Sequence, residues 1–232
     1  MTGRLQLGST SDVDATSEVV LRPAVHATTV GADLVLLDIG ADAYFCVRAE
    51  PAEVVEVVAE GRRLRLSRTL ADALAAGGML GRDAAPALDL PLRSAPPPAT
   101  RTLLCDRYGR PQWSDLTEAI PALWAVLRGY HRRSFAKVIS SRAPIGRTMR
   151  PADAAAIVDR FHRWVPYAPV SGKCLLRAFM LRHLLRRAGH DPAWVFGVQT
   201  WPFAAHCWLQ MDDIVLDDHP DRVASYTPIL VV

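Results

Sequence analysis

Residues 174–218 read CLLRAFMLRHLLRRAGHDPAWVFGVQTWPFAAHCWLQMDDIVLDD, and this stretch decides the fold class. Its first part, Cys174 to Ala188, is apolar on nearly every side and is followed by Gly189, which predicts a buried helix. Three predicted strands follow, at Ala193 to Gln199, Ala205 to Met211 and Ile214 to Leu216. Asp212-Asp213 suits a two-residue turn between the last two strands. A helix followed by an antiparallel sheet predicts an α+β domain.

Three positions in this stretch can supply a nucleophile, a base and an orienting acid. Cys174 opens the predicted helix, where unpaired backbone amides and the helix dipole stabilise a thiolate. His206 lies on the following strand, and a hairpin returns Asp217-Asp218 alongside it. Alternation along that strand places His206, Trp208 and Gln210 on one face and Cys207, Leu209 and Met211 on the other. The arrangement favours acyl transfer through a thioester.

Less specific explanations exist for the same residues. A cysteine in a helix is more often a small buried apolar residue than a nucleophile. Zinc could use Cys174, His206, Cys207 and His219, but neighbouring strand residues point to opposite faces, so we rank a metal site low. No nucleotide-binding motif is present, and we predict no cofactor and no metal.

The chain around this stretch divides at a proline-rich segment. Residues 84–100 hold five prolines without helical or strand periodicity, which predicts an extended linker. We therefore expect a first domain at 1–83 and a second at 101–232. Within the second domain, Ser114 to Arg128 and Pro151 to Val165 are predicted as two further helices.

The N-terminal unit is predicted to be a three-stranded antiparallel meander followed by two helices. The strands are Val25 to Thr29, Asp33 to Ile39 and Ala43 to Val47. The first helix begins at Glu50-Pro51, carries Val54, Val55 and Val58 on one stripe and ends near Gly61. The second begins at Ser67 as N-cap and carries Leu70 and Leu74 towards Gly77-Gly78.

Composition excludes several classes of protein. The 232 residues are 50% hydrophobic and 22% charged, as in a folded globular chain, and the net charge of +3 is too small to suggest a nucleic-acid binder. No apolar run approaches the ~20 residues of a membrane span, and the first residues resemble no secretory signal. We expect a cytoplasmic protein in which Cys46, Cys105, Cys174 and Cys207 are reduced.

The motifs of the C-terminal half resemble the lasso-peptide B-protein family of transglutaminase-like cysteine proteases. The resemblance rests on Cys174-Leu175-Leu176-Arg177, Phe203-Ala204-Ala205-His206-Cys207-Trp208 and Val215-Leu216-Asp217-Asp218. It implies a transglutaminase-like, papain-like α+β fold and a Cys174, His206 and Asp218 triad, with Asp218 selected over Asp217. Cys207 and Leu209 depart from the usual family motif; both lie on the face that we expect to point away from His206, so we expect the triad to be intact.

The N-terminal unit is similar to the PqqD-like peptide recognition element, through Leu-Leu-Asp-x-x-x-Asp-Ala-Tyr-Phe at residues 36–45. The resemblance implies a winged-helix-like unit that binds a precursor leader as an added strand. The implied leader-binding residues are Ala43, Tyr44, Phe45, Cys46, Val47, Val54, Val55, Val58, Leu70 and Leu74. A simple structural cap for the protease is the alternative.

Together the resemblances imply a leader peptidase of lasso-peptide maturation. Its partners would be the leader of the precursor and a separate ATP-dependent lasso cyclase. Two alternatives remain open at this stage: a transglutaminase-type acyl transferase, and a non-catalytic scaffold that presents the precursor to the cyclase. The backbone amide of Cys174 is a candidate oxyanion donor, with Trp164 or Gln199 as a second.

Overall fold

The computed structural model describes residues 16–48, 54–58, 62–81, 90–105, 108–141, 151–168 and 174–232. The strands are β1 (Thr16–Val20), β2 (Val25–Val30), β3 (Asp33–Asp38), β4 (Ala43–Arg48), β5 (Val54–Val58), β6 (Arg63–Ser67), β7 (Arg101–Thr102), β8 (Ala193–Gln199), β9 (Ala204–Met211), β10 (Ile214–Val215) and β11 (Thr227–Val231). The α-helices are α1 (Arg68–Ala76), α2 (Leu116–Gly129), α3 (Phe135–Ile139), α4 (Pro151–Trp164), α5 (Cys174–Arg187) and α6 (Pro220–Val223). Short 3₁₀ helices span Trp113–Asp115 and Val165–Tyr167.

The described strands form three sheets. Two are three-stranded, in the orders β1-β6-β5 and β2-β3-β4, and the third is five-stranded, in the order β11-β8-β9-β10-β7. Every pairing is antiparallel except that of β7 with β10. Helices and antiparallel sheets together confirm the predicted α+β class.

The predicted meander is present as β2-β3-β4. Leu37 of β3 pairs with His26 of β2 on one side and with Tyr44 of β4 on the other. The tight turns include Gly31 at φ +61° and Asp42 at φ +52°, in the left-handed region that such turns need. Within the described residues β4 pairs only with β3, so its outer edge is free.

Strand β3 contributes to two hydrophobic cores. Leu34 and Leu36 face a core shared with α1 and β6, and Val35 and Leu37 face the core of the C-terminal domain. Alternation makes both faces of the strand apolar at once, as expected for a strand buried on both sides. The N-terminal unit therefore packs onto the C-terminal domain through one sheet.

The predicted helix over residues 50–61 is wrong where the structure describes it. Val54–Val58 is strand β5, paired antiparallel with β6; residues 50–53 and 59–61 lie outside the described part. β-Branched residues crowd a helix and suit a pleated surface, and four of these five residues are valine. Strand β6 supplies the partner that local sequence does not reveal.

Helix α1 agrees with its prediction. The Ser67 hydroxyl accepts a hydrogen bond from the N–H of Leu70 at 3.2 Å, which caps the helix start. Gly77 is the C-cap, and Gly78 follows at φ +66°. The described part of the N-terminal unit thus holds six strands and one helix, where the sequence suggested three strands and two helices.

The C-terminal domain packs α5 between α2 and the five-stranded sheet. Helices α2, α4 and α5 and strands β8, β9 and β10 lie where the sequence predicts them. Asp212, at φ +51°, forms the predicted turn with Asp213. The short elements α3, α6, β7 and β11 were not predicted.

Part of the proline-rich segment lies against this domain. The N–H of Arg93 donates to the carbonyl of Val231 at 3.0 Å, and the Gln210 side chain donates to the carbonyl of Pro97 at 2.7 Å. The N–H of Thr100 donates to the carbonyl of Asp213 at 2.9 Å. Residues 90–100 are therefore fixed along the C-terminal sheet; the domain division itself stays a prediction.

Across the described ranges, no helix combines the length and the apolar character that crossing a membrane requires.

Candidate active site

Cys174 is the first residue of α5, and its side chain is half-buried. The helix behind it is held by a core of leucine and aromatic side chains, which fixes the position of its N-terminal end. Amides of a first helical turn have no partner within the helix, and their partial positive charge favours an anion. The position suits a thiolate.

His206 lies on β9, and its ring is held on three sides. Its Nε2 lies 2.5 Å from Oδ2 of Asp218. The rings of Trp208 and Tyr226 lie 6.1 and 5.3 Å from it, centroid to centroid. Because Asp218 occupies Nε2, Nδ1 is the nitrogen that remains for the hydrogen bond between His206 and Cys174.

Asp218 is fixed by its own turn. Its Oδ1 accepts the N–H of His219 at 2.8 Å, and its backbone carbonyl accepts the Thr102 hydroxyl at 2.7 Å. Burial alone would raise the pKa of Asp218, but the hydrogen bonds with His206 and with the His219 N–H lower it below its usual range. The carboxylate is therefore ionised and aimed at the imidazole.

The neighbouring Asp217 has a different position. Its Oδ1 accepts the N–H of Leu209 at 2.8 Å, so it closes the hydrogen-bonding pattern of β9 beyond the two residues of β10. Burial raises the pKa of Asp217 to about 7. The structure thus places Asp218, and not Asp217, against His206.

The thiol and the imidazole shift each other's protonation. A hydrogen bond with the Cys207 thiol is the largest cause that lowers the pKa of Cys174 to about 4, and the bond with His206 adds to it against the opposing effect of burial. Burial would lower the pKa of His206, but hydrogen bonds with Asp218 and Cys174 raise it to about 9. Between these values the pair is a thiolate and an imidazolium.

Cys207 is a member of the site that the sequence analysis missed. Alternation does place it on the face of β9 opposite His206, but α5 covers that face. Cys174 packs against the core that contains Cys207, and the thiol and the backbone N–H of Cys207 both lower the pKa of Cys174. Cys207 thus lies on the expected face of β9, and what the sequence did not reveal is that α5 covers this face.

The three residues open onto a cleft of about 310 Å³. Two arginines, Arg177 and Arg222, line it together with Tyr226. Arg222 lies 3.4 Å from Oδ2 of Asp218, and its side chain is 60% exposed. A peptide carbonyl can therefore approach Cys174 from solvent.

The suggested oxyanion donors Trp164 and Gln199 do not line this cleft. Trp164 is buried against Phe161, where its Nε1 has no hydrogen-bond partner among the described residues. Gln199 ends β8, opposite Ala204. Cys207 does line this cleft, and its backbone N–H, which helps to lower the pKa of Cys174, is a candidate donor that the sequence did not suggest.

The predicted leader-binding strand lies beside the active site. Ala43–Val47 belong to edge strand β4; Phe45 and Cys46 are exposed, and Val47 packs into the N-terminal core. The ring of Tyr44 lies 5.8 Å from that of Phe203, which immediately precedes β9. Burial raises the pKa of Tyr44, and the nearby acidic groups of Cys207, Asp42 and Cys174 add to that rise.

The other predicted leader contacts are placed differently. Leu70 and Leu74 are only 5% and 4% exposed, because they fill the core between α1 and β3. Val54, Val55 and Val58 lie on strand β5 rather than on a helix. The predicted leader contacts outside β4 therefore belong to a strand and a helix, where the sequence predicted two helices.

No group of three His, Cys, Asp or Glu side chains in the described ranges is arranged to hold a metal ion.

Comparison with known proteins adds a family. The model of the transglutaminase-like superfamily matches residues 117–231. The C-terminal part of the chain is a transglutaminase-like domain. The match contains Cys174, His206 and Asp218, and the superfamily includes cysteine proteases and acyl transferases. Neither a curated protein nor a solved structure gives a match.

Proposed function

We propose that this protein is a cysteine peptidase that removes the leader from a ribosomally made lasso-peptide precursor. The observation that carries the proposal is the 2.5 Å contact between His206 and Asp218 in the cleft that Cys174 also lines, where His206 helps to lower the pKa of Cys174. A nucleophile, a base and an orienting acid in this order are the parts that acyl transfer needs.

The first half of the reaction forms a thioester. The Cys174 thiolate attacks the carbonyl carbon at the junction of leader and core, and the C–N bond breaks. The His206 imidazolium gives its proton to the departing amine, and Asp218 keeps the ring in position. The core is released with a free amino terminus.

The second half consumes water. Neutral His206 takes a proton from a water molecule, whose oxygen attacks the thioester carbonyl. The C–S bond breaks, the leader leaves with a new carboxyl group, and the thiolate and imidazolium are restored. Each turnover therefore uses one water molecule and needs no cofactor.

Leader capture is proposed for the free edge of β4. An extended peptide can add to that edge by main-chain hydrogen bonds, with Phe45, 40% exposed, as an apolar contact. Two contacts join this sheet to the loop before β9: Tyr44 with Phe203, and Trp201 Nε1 donating to Asp33 at 2.6 Å. A leader held on β4 therefore raises the effective concentration of the scissile bond near Cys174.

The released core then needs a ring-forming step. A free amine and a side-chain carboxyl do not condense spontaneously in water, so a separate ATP-dependent cyclase is the proposed partner. We also place the protein in the cytoplasm, where precursor and ATP are available.

Mass spectrometry of a lasso-type precursor, encoded beside this gene, tests the proposal. Wild type should give one cut at the junction, and Cys174→Ala should give none while leader binding persists. Cys105→Ala, which removes an exposed thiol outside both β4 and the catalytic cleft, is the matched control and should cleave normally. Cleavage by Cys174→Ala would eliminate the mechanism.

The same experiment separates the alternatives. A transglutaminase-type acyl transferase would give a product whose mass includes the amine acceptor instead of water. A scaffold would bind the leader and leave the precursor intact even when the cyclase and ATP are supplied. The low pKa of Cys174 favours a reactive thiol over such a scaffold.

A further inference from the structure

Helix α2 has two apolar faces, and only one of them is buried. Ala119, Ala122 and Val126 pack into the core of the domain. On the other face, four large apolar side chains are between 44% and 62% exposed: Leu116, Ile120, Trp124 and Leu127. Single exposed apolar residues are ordinary, but a stripe along one helix marks an interaction surface.

The stripe borders a concave surface, which we name the α2 groove. It lies between α2, α3 and α5 and encloses about 930 Å³. Phe179 and Gly129 line it, and a Cβ on Gly129 would lie 3.1 Å from Cζ of Phe179. Ile120 and Trp124 form its apolar edge.

The charged side chains around the α2 groove are positive. Arg128, Arg133, Lys137 and Arg187 line it and are exposed, and no described residue in its lining is acidic. Arg128 also lies 4.8 Å over the ring of Trp124, which joins the apolar edge to the basic rim. A ligand that fits both features must be apolar on one side and negatively charged beside it.

We propose that the α2 groove docks an acidic amphipathic helix of a partner protein. Apolar side chains at one helical face would fill the groove beside Ile120 and Phe179, and flanking carboxylates would meet the arginines and Lys137. The concave shape favours a helix over a flat membrane surface. A symmetric second copy is disfavoured, since it would bring the same cations face to face.

This surface is independent of the proposed peptidase activity. The α2 groove and the catalytic cleft share no lining residue. A variant can therefore lose partner docking while Cys174 stays reactive, and a variant that loses the reactivity of Cys174 can still dock the partner. Such a separation suits a protein that must hold a partner while it processes a substrate.

The test uses the full chain and three synthetic peptides of roughly five helical turns. One carries leucine on one face and glutamate on the other, the second replaces every glutamate by lysine, and the third scrambles the first. Fluorescence anisotropy should show the acidic amphipathic peptide binding at least about tenfold tighter than either of the others. Its affinity should fall as salt is added.

Two variants and one control locate the binding. Ile120→Glu should weaken the acidic peptide at least about tenfold. The double variant Lys137→Glu with Arg187→Glu should lose the acidic peptide and gain the lysine peptide. Arg68→Glu with Arg110→Glu, which reverses two exposed charges elsewhere, should behave as wild type. Equal alkylation of Cys174 in all variants checks the fold.

Four results would overturn the proposal. Equal binding of the acidic and lysine peptides, or acidic-peptide binding that survives Ile120→Glu, would remove the groove as the site. Binding to vesicles containing phosphatidylserine, with no binding of any peptide, would make the surface a membrane contact. A dimer that light scattering detects, and that Ile120→Glu dissociates, would make the occupant a second copy.

Discussion

Two buried aspartates in different parts of the molecule, one at the end of a strand and one shortly after a strand, share one kind of contact. In each, a carboxylate oxygen accepts a hydrogen bond from the backbone. Asp38 ends β3, and its Oδ1 accepts the N–H groups of Gly40 and Ala41 at 2.9 and 3.1 Å. Asp218 follows β10, and its Oδ1 accepts the N–H of His219. In both cases one carboxylate oxygen accepts backbone N–H groups of the residues that follow it.

The two aspartates differ in the partner of the second carboxylate oxygen. Oδ2 of Asp38 is bound at 2.7 Å by the guanidinium of Arg22, a group that donates hydrogen bonds and has no acceptor atom. Oδ2 of Asp218 meets His206, which gains and loses a proton beside a thiol. A buried carboxylate thus takes part in chemistry when its partner can gain and lose a proton and faces a cleft. Otherwise it serves only to hold the structure together.

The largest expected effect comes from Asp218→Asn. Without the negative charge, the imidazolium is no longer stabilised and its orientation is less fixed, so kcat/KM for junction cleavage should fall about 10³-fold. Steady-state cleavage of the precursor measures this. Asp38→Asn is the matched control, and an equal loss there would abolish the contrast between the two aspartates.

Activity should depend on pH through the same pair. The thiolate and imidazolium coexist between the pKa of Cys174, about 4, and that of His206, about 9, so the profile should be bell-shaped with limbs near these values. Because Asp218 raises the pKa of His206, Asp218→Asn should move the basic limb to lower pH. An unmoved limb would show that another group sets it.

Asp38→Ala should cost stability and spare the chemistry. The N–H groups of Gly40 and Ala41 and the Arg22 guanidinium lose their acceptor, which lowers the free energy of unfolding by about 2 kcal/mol. Urea denaturation followed by circular dichroism measures it. Asp38→Asn keeps an acceptor oxygen and should lose less free energy of unfolding than Asp38→Ala. Equal losses in the two variants would mean that the ion pair with Arg22 contributes most of the stabilisation.

Cys207→Ala should raise the pKa of Cys174, since it removes the thiol that lowers it most. For a rise of about one pKa unit from about 4, the thiolate fraction at pH 4 falls from about one-half to about one-tenth, so alkylation at that pH should slow about fivefold. Mass spectrometry of the Cys174 peptide follows the rate without interference from the exposed Cys46 and Cys105. Cys207→Ser, which keeps a donor, should retain most of the rate.

The smallest change is expected from Arg222→Gln. Arg222 lies 3.4 Å from Asp218 but is largely exposed, so water screens its charge and kcat/KM should change by about twofold or less. Arg222→Lys should resemble wild type. A loss approaching that of Asp218→Asn would mean that Arg222 contacts the substrate.

The sequence was most informative where structure is local. The apolar length of α5 and the alternation along β9 fix both elements without knowledge of the rest of the chain. The orienting acid of the triad was harder to predict, because spacing in the sequence does not choose between Asp217 and Asp218. In the structure, the contact with His206 identifies Asp218.

The failures concern pairings between distant segments. Thr16–Val20 pairs with Arg63–Ser67, and no local pattern announces that contact. Val54, Val55 and Val58 fit a helical stripe as well as a strand, so the presence of β6 decides between the two. The exposed stripe of α2 was equally hidden, because periodicity predicts a helix and not which of two apolar faces is covered.

The position of strand β3 limits how the gene for such a protein can be divided into two. Since Val35, Leu37 and Ile39 complete the core of the transglutaminase-like domain, separating the gene after the N-terminal unit would expose matching apolar surfaces on both products. Either the two products would reassociate, or each would need polar replacements at that surface before it could exist alone. A single reading frame avoids that requirement and delivers both parts in equal numbers.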